Sequence, residues 1–171
     1  MISIEAGARV IKFGCGNGNL LFELSPHIRL AWGIDKSQRL INEALAYKRQ
    51  HAIENVTFSC QELRRGFHLT EGFDYSIASL FFHVIPPADA AYLLEKKNTL
   101  APHVLICGFS HPQILKEKLL LWADQRISGH YANFKAYQEY GGMERLFEQT
   151  AYSNIEIHST PLPFVKIYEI S

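Results

Sequence analysis

Three glycines at alternate positions close the apolar run Val10-Ile11-Lys12-Phe13-Gly14-Cys15-Gly16-Asn17-Gly18, and a helix-forming segment, Asn19-Leu20-Leu21-Phe22-Glu23-Leu24, begins at once. The pattern describes a strand, a tight turn and a helix start. Glycine suits such a turn because it tolerates positive φ and, lacking a Cβ, lets a ligand come against the backbone. The helix start adds free N–H groups and a partial positive charge. The stretch implies a ligand-binding turn at the edge of an α/β sheet.

The rest of the chain fits that frame. Residues 8–13 form a nearly continuous apolar strand, of the kind buried on both faces of a parallel sheet. The first helix stops at Ser25-Pro26, and a second strand from Ile28 to Ile34 ends in Asp35. Ser37 caps the next helix, whose inner stripe is Leu40, Ile41, Ala44 and Leu45. Asn55–Cys60 is a third strand leading into Gln61-Glu62-Leu63, and Phe73–Leu80 is a fourth. Pro86-Pro87 opens a helix with Ala90, Leu93, Leu94 and Lys97 on its inner side, and His103–Phe109 is a fifth strand. An apolar helix is expected from about Gln113 to Ile127, followed by an irregular aromatic stretch over residues 128–142. A short helix from Met143 to Thr150 precedes two strands, Asn154–His158 and Phe164–Ile170, turned by Pro161 and Pro163 into an antiparallel hairpin. Strands alternating with helices, then a hairpin, predict one doubly wound α/β domain over residues 1–171.

Composition narrows the function. Seventeen Lys and Arg balance seventeen Asp and Glu, so no global field draws the chain to nucleic acid or an anionic membrane. Cys15, Cys60 and Cys107 cannot pair completely, and each lies in or at the end of an apolar run, which fits buried free thiols in a reducing compartment. Their spacing does not resemble a zinc site, and no metal is expected. The start shows no secretory pattern, and no apolar stretch approaches the roughly 18 residues of a membrane span. A cytoplasmic protein is the expectation.

Ligands of a doubly wound sheet lie beyond the carboxyl ends of its strands. Three such ends carry Gly14–Gly18, Asp35 and Glu62. Asp35 follows the first glycine by about twenty residues, the interval at which an acidic residue grips a ribose diol. A carboxylate accepts from two adjacent hydroxyls at once; the plainer alternative is that Asp35 caps the following helix. The dinucleotide pattern G-x-G-x-x-G would put its last glycine at position 19, where this chain has Asn19. A nicotinamide-dependent oxidoreductase is therefore the weaker nucleotide reading.

Four segments in register resemble the class I S-adenosylmethionine-dependent methyltransferases. They are the glycine turn, Gly33-Ile34-Asp35-Lys36-Ser37, Asn55-Val56-Thr57-Phe58 with Cys60-Gln61-Glu62-Leu63, and Phe73-Asp74-Tyr75-Ser76-Ile77-Ala78-Ser79-Leu80-Phe81-Phe82-His83-Val84-Ile85-Pro86. The resemblance spans roughly residues 8–110 and implies a seven-stranded, mostly parallel sheet of order 3-2-1-4-5-7-6 with an antiparallel C-terminal hairpin. It implies S-adenosyl-L-methionine as cofactor, with Gly14, Cys15 and Gly16 against the methionine part. Asp35 would hold the ribose, Glu62 and the Leu63 N–H the adenine, and Ile34, Lys36, Ser79 and Leu80 would line adenine and sulfonium.

His83 is the one strand-end histidine nominated as a base, the alternative being that it hydrogen-bonds backbone and shapes its loop. The family's second histidine is replaced by Val84, while His68, His103, His111 and His130 show no partner pattern. One departure stands out: Lys12 occupies a position where the family usually has an acidic residue that settles the cofactor's ammonium. Either Lys12 snorkels away, or the site has drifted from cofactor binding. Strand four ends in Ala78-Ser79-Leu80-Phe81, unlike the Asn-Pro-Pro-aromatic ending of enzymes that methylate nucleic-acid or protein nitrogen, so a small-molecule acceptor is expected. Its cover would come from residues 128–142, from the loops after strands three and four, or from a second subunit of a homo-oligomer. Tyr131, Phe134, Tyr137 and Tyr140 suit an apolar wall, or equally the packing of the last helix onto the sheet. A catalytically inactive binding or scaffold module of the same fold is the alternative to an enzyme.

Overall fold

A computed structural model describes residues 4–69, 72–110, 129, 131–150, 152 and 154–171. The elements in chain order are β1 (Arg9–Phe13), α1 (Asn19–Leu24), β2 (Leu30–Asp35), α2 (Gln38–Gln50), β3 (Val56–Cys60), β4 (Tyr75–Ser79), a 3₁₀ turn (Phe82–Val84), α3 (Pro87–Leu100), β5 (His103–Phe109), α4 (Tyr131–Tyr140), α5 (Gly142–Glu148), β6 (Ile155–Ser159) and β7 (Val165–Ile170). The strands form one seven-stranded sheet of order β3-β2-β1-β4-β5-β7-β6. The first five pair in parallel, and β7 runs antiparallel to both β5 and β6. This is the order that the motif resemblance implies.

The central strand explains why the sheet is covered on both faces. Val10, Ile11 and Phe13 of β1 have no exposed surface, and burying a side chain of this size contributes about 1.5–3 kcal/mol. Alternation divides them: Val10 joins Leu21, Phe22, Ile41, Ala44 and Val56 in a core under α1 and α2. Ile11 and Phe13 join Leu93, Leu94, Phe134, Met143 and Leu146 in a larger core under α3, α4 and α5. Ser37 caps α2 by accepting from the Leu40 N–H at 3.4 Å, and Lys48 and Arg49 complement the dipole in its last turn. Pro87 occupies the first turn of α3, where its missing N–H costs nothing.

Three expectations change. Of the three thiols expected to be buried, Cys15 is, but Cys107 is half-buried and Cys60, at the end of the outer strand β3, is exposed. The stretch expected to be irregular contains α4, because Phe134 and Tyr137, three residues apart, bury one helical face while Ala132 and Lys135 face outward. Gly141, at φ 110°, then separates α4 from α5. The helix start after the glycine turn is only six residues long, so its macrodipole offers a ligand little. The helix expected over 113–127, together with His111 and His130, lies outside the described residues.

Candidate active site

Strand register assembles the site. Phe13 pairs with Ile34 on one side and Ala78 on the other, and Asp35 pairs with Cys60. The tips of four strands therefore end at one level, bringing Gly14, Asp35, Gln61 and Ser79 to the same edge. In the turn Gly14, Gly16 and Gly18 all take positive φ, at 64°, 59° and 85°, so alanine would be strained at each. The Gly18 N–H closes the turn on the Cys15 carbonyl at 3.1 Å, and the Cys15 N–H bonds the Ile34 carbonyl at 3.0 Å.

Asp35 ties this turn to the next helix. One carboxylate oxygen accepts from the Gly16 N–H at 2.9 Å and the other from the Ser37 N–H at 2.9 Å. The helix cap itself is Ser37, so Asp35 is left to bridge two backbone segments. Each of its oxygens has capacity for a further donor.

A cavity of 720 Å³ opens at this edge, within the usual range for small-molecule sites. Asp35, Lys36, Ser37 and Leu40 line it from the end of β2 and the start of α2, Gln61, Glu62, Leu63 and Arg64 from the segment after β3, and Gly14 and Phe81 from the segments after β1 and β4. Arg39, Val84, Ile85, Pro86, Asp89 and Asn133 complete the lining. Asn133 of α4 donates to the Val84 carbonyl at 2.7 Å, so cover comes from α4 and from the loops after β3 and β4. Of the residues expected at the cofactor, Gly14, Asp35, Lys36, Glu62 and Leu63 line this cavity. Cys15, Gly16, Ser79 and Leu80 stand outside the lining, and Ile34 is wholly buried. Glu62 is well exposed and sits 3.5 Å from Arg64, a pair that solvent screens.

Lys12 does not snorkel. Its side chain is buried and its Nζ donates to the Gly14 carbonyl at 3.0 Å, directly beneath the turn. Burial pushes the Lys12 amine below the usual lysine range, while Cys15, Asp35 and Cys107 pull the other way. The same burial, helped by Asp35, raises the Cys15 thiol to about 12, so it is not a nucleophile near neutral pH. A second amine, Lys97, is wholly buried; its Nζ donates to the Ser76 hydroxyl at 2.6 Å and lies 4.3 Å from the centre of the Phe13 ring. Its pKa falls well below the ordinary value because of burial first and the Lys12 charge second.

Sequence reasoning passed over Phe81. Leu80 takes φ 49°, strained for a leucine, and the bend carries the Phe81 ring onto Gly14. A Cβ placed on Gly14 would meet the ring at 2.5 Å. His83 is buried in the 3₁₀ turn among Phe109, Phe134 and Tyr137, with ring centres 4.6, 6.0 and 6.4 Å away, and stands outside the cavity lining.

Known proteins share this fold. The chain overlays the PH0226 protein from Pyrococcus horikoshii OT3 with a TM-score of 0.70 at 16% identity, covering 95% of this chain and 81% of that one. It overlays magnesium protoporphyrin IX methyltransferase from Synechocystis PCC 6803, solved with bound S-adenosylhomocysteine, with a TM-score of 0.65 at 21% identity, covering 96% and 74%. The N-methyltransferase NodS from Bradyrhizobium japonicum WM9 gives 0.61 at 17% identity, covering 96% and 86%. These identities establish a common fold. No curated protein sequence gives a significant match. A family model described as a methyltransferase domain matches residues 4–150, most of the chain. With that match, the sheet order and the strand-edge site together, the chain belongs to the methyltransferase-domain family and has the class I, Rossmann-like fold.

Proposed function

We propose that this protein is an S-adenosylmethionine-dependent methyltransferase acting on a small-molecule acceptor. The observation that carries the reading is Asp35. It is a carboxylate fixed by two backbone N–H groups, with acceptor capacity left over, in the lining of a 720 Å³ cavity. Glu62 and Leu63 line the same cavity from the segment after β3 and would offer an adenine amino group an acceptor and an adenine ring nitrogen a donor. Bound there, the cofactor's sulfonium would supply an activated methyl carbon, and the protein's part is to align the acceptor and exclude water. His83, buried among three rings and outside the cavity lining, suits shaping its loop better than moving a proton. No helix among the described residues is long and apolar enough to cross a membrane, and the three cysteines are free; a cytoplasmic enzyme is consistent with both.

A non-catalytic module of the same fold is the second reading. It is favoured by one observation, the buried Lys12 amine on the Gly14 carbonyl. Calorimetric titration with S-adenosylhomocysteine tests the first reading at its root. Saturable binding is the expected result, and no heat up to millimolar ligand overturns it.

A further inference from the structure

The cavity and the turn meet at Gly14, and two side chains of the protein itself already occupy that meeting point. Lys12 donates to the Gly14 carbonyl from below, at 3.0 Å. It lies near enough to Asp35, Cys15, Cys107 and Lys97 to interact with them electrostatically. A ligand ammonium brought to the same carbonyl would meet a side-chain amine already bonded to it. From above, the Phe81 ring covers Gly14, packed edge-on against Phe13 and Phe82 with ring centres 6.5 and 5.5 Å away. Beyond Phe81 the enclosure stops: Cys15 and Gly16 do not line the cavity, and a Cβ on Gly16 would meet nothing within 4 Å. The other end, from Asp35 to Leu63, is walled and open to a ligand.

We infer that this cavity recognises the nucleoside part of an adenosyl ligand alone, because Lys12 and Phe81 fill the place of an amino-acid tail. The ligand class is 5′-substituted adenosines, with the tail of a longer ligand left outside, over Gly16, and contributing nothing to affinity. The inference rests on the reading that places adenosine between Asp35 and Glu62. It goes beyond that reading by making the amino-acid end dispensable.

The test compares 5′-methylthioadenosine with S-adenosylhomocysteine, two thioethers that share the adenosine and differ in the tail. Both are titrated calorimetrically into the wild-type chain and into Lys12→Met and Phe81→Ala. The ratio of the two affinities within one variant does not depend on how much of that variant is folded. The wild-type chain is expected to bind 5′-methylthioadenosine at least as tightly as S-adenosylhomocysteine. Each substitution is expected to move the ratio toward S-adenosylhomocysteine by about tenfold. A wild-type preference of tenfold or more for S-adenosylhomocysteine overturns the inference while leaving the adenosyl reading standing. Ratios unchanged in both variants overturn the assignment to Lys12 and Phe81. Failure of both compounds to bind at millimolar concentration overturns the adenosyl reading and the inference with it.

Discussion

At the β2 and β3 tips the cavity presents Asp35 and Glu62, carboxylates that solvent reaches and that backbone or a neighbouring arginine holds in place. At the β1 and β4 tips, one strand away, it presents a ring laid on glycine and an amine buried beneath it. The contrast follows from position in the sheet. Glu62 lies just past β3, the outer strand on that side, and keeps its water; Lys12 lies on the central strand, paired on both sides, where an ammonium loses its hydration. The same sheet edge thus carries a solvated polar half and a half where the protein's own side chains pack against the glycine turn.

The largest expected effect breaks the polar half. Asp35→Ala removes the proposed ribose acceptor and leaves the Gly16 and Ser37 N–H groups without their partner. Hydrogen bonds to charged groups are worth about 1.5–3 kcal/mol, so S-adenosylhomocysteine affinity should fall on the order of ten- to hundredfold in calorimetry. Unchanged affinity would remove Asp35 from the site.

A second prediction probes the buried half through stability. The double substitution Lys97→Met with Ser76→Ala removes an amine and its hydroxyl partner together, so neither is left unpaired. A methionine also keeps favourable contact with the Phe13 ring. The melting temperature should rise, on the order of 2–4 °C per kcal/mol gained at this chain length. The pH dependence has a definite sign. Lys97 titrates at 10.5 when unfolded and well below that when folded, so between those values the unfolded state binds more protons and wild-type stability from this group rises with pH. The advantage of the double variant should therefore shrink as pH climbs toward 10.5, in matched thermal melts. A gain that is flat with pH would show that the Lys97 charge is not what the fold bears.

The smallest effect sharpens the comparison at its exposed rim. Glu62 is solvated and already shares its charge with Arg64. Glu62→Ala should weaken S-adenosylhomocysteine binding only about two- to fivefold, in keeping with about 0.5–1 kcal/mol for a net hydrogen bond. A loss as large as that at Asp35 would mean that adenine, not ribose, dominates recognition.

Much of this was legible in the chain, for identifiable reasons. Alternate glycines after an apolar run leave few backbone geometries, and an acidic residue at position 35 falls at the tip of the neighbouring strand whatever the loops do. The two proline-led turns and the closing hairpin read equally well. Lys97 on the inner side of α3 also followed from periodicity, though not its seat on Phe13. What stayed hidden depends on contacts between distant segments. The Phe81 ring reaches Gly14 only because Leu80 bends at positive φ, which nothing in a leucine announces. Four aromatic residues masked the helical spacing of α4, and with it the Asn133 contact that covers the cavity. Whether Lys12 would reach solvent turned on the depth of the turn above it, a property of the assembled sheet.

A crystal structure of the protein with S-adenosylhomocysteine tests the central claim most directly. The account predicts the ribose hydroxyls within hydrogen-bond distance of the Asp35 carboxylate and the adenine between Glu62 and Leu63, with Lys12 still on the Gly14 carbonyl. Ligand density elsewhere on the molecule, or a ribose that makes no contact with Asp35, would contradict it.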